Sequence, residues 1–199
     1  MKTIEINGNH YALDPDCPNP TMYVWAAEHV VGSSRIQWDD FNAQEEFIKK
    51  MGFPAVLHEF FLDVIYNPKA WPSKFVYRDT GEPAAEFEER LERSPDILLE
   101  TKAVKDLADR LGHKVIGCDS RAYLHPSQVS DEERETEQAD VIERYNGTVQ
   151  QPHLAIIGAI HCLPSSHLNR LLQRKGIDYT VVHKLERAWV KENEWRKRT

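Results

Sequence analysis

The chain has 199 residues, 41% of them hydrophobic, and a formal net charge of −7. That is enough apolar material for one globular domain with a sizeable core. The acidic balance argues against a nucleic-acid backbone or an anionic membrane surface as partner. Three cysteines in no metal-like cluster argue against a disulfide framework or a zinc ribbon.

The opening TIEINGNHYALD alternates polar and apolar residues around Asn-Gly-Asn, a hairpin signal. It carries no apolar signal core, and no run in the chain approaches a membrane span, so a cytoplasmic protein is expected. The Pro-rich DPDCPNP breaks the chain before TMYVWAAEH, a run rich in strand formers. DDFNAQEEFIKKMGF places Phe41, Phe47, Ile48 and Met51 on a helical stripe that stops at Gly52. PAVLHEFFLDVIY reads as strand or helix. Residues 67–83 are rich in Pro, Gly and polar residues, which predicts an excursion or lid with a short strand at Lys74–Tyr77. PAAEFEERLER is a helix with Pro in its first turn, and DILLE a buried strand. TKAVKDLADRLGH is a helix with Thr101 as N-cap and Gly112 just past its end. KVIGCD is a strand, SDEERETEQADVIERYNG a long charged helix with a good cap, and HLAIIGAIH a strand. PSSHLNRLLQRKG is a Ser-capped helix, DYTVVH a strand, and the C-terminal segment a charged helix.

From the middle onwards strands and helices alternate, and the strands are short and wholly apolar. This predicts an α/β fold: a mostly parallel central sheet with helices on both faces, plus an N-terminal hairpin. It forms one domain over residues 1–199, with an insertion or lid at 53–83. Ligands in such folds sit at the carboxyl ends of the strands.

The predicted strand ends carry chemistry. VWAAEH ends in Glu28 and His29, DILLE in Glu100, VIGCDSR in Asp119 with Arg121 two residues on, and IIGAIH in His161. Aliphatic strands have no packing reason to finish on ionisable residues. His and carboxylate groups gathered in one crevice suit a divalent transition metal or acid–base work. LHEFF adds Glu59 as a further candidate, although Leu62 stands where a HExxH motif would carry its second His. Cys162 would face away from His161 on a strand, and Ser165–His167 reads as a helix cap. The acidic runs EFEERLER and SDEERETEQ read as solvated helix faces.

The order of these motifs resembles the TraB/Tiki superfamily, related to erythromycin-esterase-like and ChaN-like domains. The motifs are AAEH (Ala26–His29), the strand glutamate Glu100, Asp119 with Arg121, Arg144 in IERYNG, and GAIH (Gly158–His161). The likeness is best over residues 131–182. Ala26 stands for the usual glycine, DSR has an extra residue between Asp and Arg, and Tyr145 follows Arg144 where the family often has Asn. The resemblance implies a metal-dependent hydrolase of peptide or ester bonds acting on a small molecule or peptide. His29, Glu100, Asp119 and His161 would hold manganese, cobalt or zinc, with Glu28 or Glu59 as general base. Arg121 or Arg144 would orient a carboxylate or stabilise an oxyanion. The alternative expectation is a protein that binds a small molecule, haem or metal in the same pocket without turnover. A third is an interaction module on a degenerate fold.

Overall fold

The computed structural model describes residues 2–28, 35–59, 63–70, 74–93, 95–121 and 127–185, with side chains in all but 35–37 and 90–100. The chain opens with β1 (Lys2–Ile6) and β2 (Asn9–Asp14), followed by β3 (Met22–Ala27), α1 (Arg35–Met51) and β4 (Ala55–His58). Next come β5 (Val64–Tyr66), β6 (Phe75–Tyr77), α2 (Ala85–Arg93), α3 (Pro95–Leu111) and β7 (Lys114–Gly117). The last third holds α4 (Asp131–Arg144), β8 (His153–Gly158), a 3-10 turn over Ala159–Cys162, α5 (His167–Arg174) and β9 (Tyr179–Lys184). Among these residues no helix is long and apolar enough to cross a membrane.

The nine strands form one sheet in the order β1-β2-β9-β3-β8-β4-β7-β5-β6. The four pairings from β9 to β7 are parallel, and the two pairings at each edge are antiparallel. The fold is α/β, but the sheet is mixed where a mostly parallel one was expected. The predicted N-terminal hairpin forms one antiparallel edge. Its Asn7-Gly8 turn has φ of 51° and 75°, the paired positive values that a two-residue hairpin of matching twist requires. The opposite edge comes from the segment 53–83. It contributes β4 to the parallel core, and Val64–Tyr66 turns back against β7 and pairs with Phe75–Tyr77.

The crossovers explain the layers. From β3 through α1 to β4, and from β4 through α2 and α3 to β7, the chain moves one way across the sheet. From β7 through α4 to β8, and from β8 through α5 to β9, it moves back. Right-handed connections running in opposite directions put their helices on opposite faces. One core layer accordingly joins Trp25, Leu154 and Ile156 to Phe47 of α1 and Leu107 of α3. The other joins Val24, Ala155 and Ile157 to Ile142 of α4 and Leu172 of α5. Strand neighbours alternate between the layers, as a period of two dictates. Trp25 is fully buried, its ring 4.8 Å from that of Tyr11 and 5.5 Å from that of Phe47. Burial of an aromatic of this kind stabilises the fold by about 1.5–3 kcal/mol.

Two elements differ from expectation. DILLE is helix, because Pro95 starts a helix that runs unbroken to Leu111; the expected cap Thr101 lies inside it and is buried. A five-residue apolar run fits either period, and the pattern that continues through Val104, Leu107 and Leu111 decides for the helix. The strand expected over 153–161 stops at Gly158, and His161 belongs to the 3-10 turn that follows. The C-terminal segment beyond Leu185 lies outside the described residues.

Candidate functional site

β8, β4 and β7 are parallel neighbours, so their carboxyl ends share one edge. Each delivers one ionisable side chain there: Glu59 directly after β4, Asp119 two residues past β7, and His161 in the turn after β8. Helix α4 completes the cluster. Ser130 caps it with a reciprocal capping box: its hydroxyl accepts from Glu133 N (3.2 Å), and the Glu133 carboxylate accepts from Ser130 N (2.9 Å). The first turns of α4 bring Arg134, Glu135 and Gln138 to the strand ends.

The contacts are dense. Arg134 Nε donates to Asp119 Oδ2 (2.8 Å), and its Nη2 donates to Glu59 Oε1. Asp119 also accepts from Gln138 Nε2 at Oδ2 (3.1 Å) and from Arg121 N at Oδ1 (2.9 Å). Glu59 Oε2 accepts from Gly158 N, so a glycine that ends β8 meets a carboxylate that ends β4. His161 Nδ1 lies 2.8 Å from Glu135 Oε1, and its Nε2 faces Glu59 Oε1 at 3.6 Å, beyond hydrogen-bond distance. The other oxygen of Glu135 accepts from Leu168 N in the first turn of α5 (2.8 Å). Glu59, Asp119, Glu135 and His161 are all at least 95% buried. Burial pushes the Asp119 carboxyl above its ordinary value and Glu59 adds to the rise, while Arg134 and the Arg121 amide oppose it. The two carboxylates hold Arg134 firmly protonated against its own desolvation.

No family model, curated protein or solved structure matches this chain.

Of the residues expected to form the site, Glu59, Asp119 and His161 come together. Glu100 does not end a strand: it lies within α3. Glu28 follows β3, and its backbone amide donates to Asp40 on α1, in the helix layer opposite α4 (3.1 Å). Arg121 joins the cluster through its backbone, while its guanidinium lies over exposed Glu133 (3.8 Å). Arg144 pairs with Asp79 at the surface (3.1 Å). It sits on the last turn of α4, about 15 Å along the axis from Arg134. That helix end reaches the start of β3, where Thr21 Oγ1 donates to Asn146 (2.7 Å). His29 lies outside the described residues.

Arg134, Glu135 and Gln138 lie in the run SDEERETEQ, which reads from sequence as a solvated helix face. A signal was present. The inward stripe Ala139 and Ile142, continued back by one helical turn, falls on Glu135 and Gln138. Polar residues on the buried stripe of an amphipathic helix mark an interior polar cluster.

Three observations bear on a metal. Both oxygens of Asp119 are engaged by donors, which removes it as a ready ligand. Glu59 Oε1 and His161 Nε2, 3.6 Å apart, are spaced as two ligands of one ion at about 2 Å each could be. Glu135 on the opposite ring nitrogen stands where an orienting carboxylate would. A third ligand is missing: among the described residues no group of three or more His, Cys, Asp or Glu side chains could hold an ion. The described residues therefore do not complete a metal site, and Arg134 supplies the positive charge between Glu59 and Asp119. The thiols of Cys118 and Cys162 are pushed up by burial and stay protonated, so neither is a ready nucleophile.

Proposed function

We propose that this chain is a hydrolase of ester or peptide bonds, with His161 as general acid–base at the carboxyl edge of β4 and β8. The observation that carries this reading is the His161 ring held by Glu135 at Nδ1 while Nε2 faces Glu59. A carboxylate accepting from Nδ1–H fixes the tautomer, leaving Nε2 to take and return a proton. A water within reach of both Nε2 and Glu59 is the nucleophile. His161 removes its proton as it attacks the acyl carbon, and the leaving group takes that proton back. Arg134 reaches the developing oxyanion from its Nη1 edge, which lies 4.0 Å from Asp131. The resemblance to the TraB/Tiki group supports the same reaction class and adds the expectation that His29 belongs to this site.

Purified protein should turn over members of a p-nitrophenyl ester and chromogenic peptide panel. The panel is run with and without EDTA and with added manganese, cobalt or zinc. His161→Gln should lower kcat by about 10²-fold or more, and Glu135→Gln should lower it while moving the pH profile. Turnover that is unchanged in His161→Gln, or absent from every substrate, would sink the reading. The 3.6 Å spacing of Glu59 Oε1 and His161 Nε2 favours a second reading, in which the same cluster binds a small molecule, haem or metal without turnover. Saturable binding lost in His161→Gln, with no hydrolysis, would establish it.

A further inference from the structure

A concavity lies on the α4–α5 face of the sheet near its hairpin edge, and it borders the acid–base cluster at Cys162, the residue after His161. Its volume is about 130 Å³, and Asp14, Asn169, Tyr179 and His183 line it together with Cys162 and Gln173. The register builds it. Tyr179, Val181 and His183 alternate along β9 and so share one face, and Asp14 at the end of β2 stands directly opposite Val181. Pro15, Pro164 and Val181 supply apolar wall.

The polar groups are weighted toward accepting hydrogen bonds. The Asn169 side chain is 5% exposed, and its orientation is fixed because Nδ2 donates to Cys162 O (3.0 Å) and Leu163 O (2.6 Å). That leaves Oδ1 as a buried acceptor without a hydrogen-bond partner. A buried amide oxygen costs free energy until a donor reaches it. Tyr179 already spends its hydroxyl proton on Asn169 O and accepts from Gln173, so it offers ring face and lone pair. Among the described residues no Lys or Arg lines the cleft, and Asp14 carries the one carboxylate there. Burial holds the His183 imidazole below its usual range, so it adds no positive charge at neutral pH.

We propose that this cleft binds a small organic cation, an alkylammonium whose N–H groups reach Asn169 Oδ1 and Asp14. The alkyl part lies against Pro15, Pro164 and the Tyr179 ring. The ammonium completes the orphaned amide and pairs with the carboxylate, two interactions that a neutral or anionic ligand of the same size does not combine.

The test titrates n-butylammonium, 1-butanol and butyrate into the full chain at pH 7.5, followed by calorimetry and by amide chemical shifts. Butylammonium should bind saturably, with shifts at residues 14, 169 and 179, and Asp14→Asn should weaken it by about tenfold. Ester turnover should be unaffected in that variant, since Asp14 takes no part in the acid–base cluster. If Asp14→Asn fails to fold, the shift map on the unaltered chain still decides. No saturation by about 10 mM, equal affinity for 1-butanol, or shifts confined to other residues would overturn the proposal.

Discussion

Asp119 and Asp40 are both buried carboxylates, and the chain handles them differently. Asp119 has a guanidinium: Arg134 bridges it to Glu59, so two carboxylates share one cation in the interior. Removing one member of such a group leaves an uncompensated buried charge, which is why it acts as a unit. Asp40 instead accepts hydrogen bonds from Trp25 Nε1 (3.3 Å), Glu28 N (3.1 Å) and Gln44 Nε2 (3.1 Å). Desolvation dominates there, and the Asp40 carboxyl is pushed up to about 6. A carboxyl raised in the folded state stabilises that state through its neutral form. The stabilisation is complete below the unfolded value near 4 and is lost as pH rises through 6. Its size is about 3 kcal/mol. Urea denaturation of the unaltered chain and of Asp40→Asn at pH 4 and 7.5 measures it: the difference in unfolding free energy between the two proteins should fall by about that amount on going to the higher pH. A difference that does not move with pH would mean that Asp40 never meets its desolvation cost.

Helix α4 links the fold to the candidate site. Its capping box sets where the helix starts, and that start decides which side chains meet the strand ends. Ser130→Ala should cost about 1 kcal/mol of stability by urea denaturation. It should also lower any turnover by His161, because Glu135 sits in the second turn of the same helix. The caps of α4 and α5 were legible in the sequence, since Ser130 with Glu133 and Ser166 before Leu168 are local signals. DILLE was not legible, because a short apolar run satisfies both periods and only its continuation into α3 separates them. The antiparallel edge was partly legible: the short strand read at Lys74–Tyr77 is β6, while β5 sits in a run that reads as strand or helix. A three-residue strand such as β5 carries too little periodicity to separate the two states.

At the scale of the whole molecule, the site was half visible. Parallel neighbours had to end at one edge, so Glu59, Asp119 and His161 could be paired from sequence alone. Their partners Arg134 and Glu135 come from a helix whose inward face is visible only once the sheet it covers is known. The same strand order governs how the sheet comes together. β3 is flanked by β8 and β9, both from the last quarter of the chain. A fragment of residues 1–147 should therefore show no cooperative thermal transition, whereas the full chain should show one. A cooperative transition in the fragment would mean that β3 finds another neighbour. On the ribosome this order has a cost in time. Residues 28–152 separate β3 from β8 and take on the order of ten seconds to synthesise. Throughout that interval a nascent strand of Met22–Ala27 has both ladder edges open, which makes this chain a natural client for a holding chaperone until its final strands emerge.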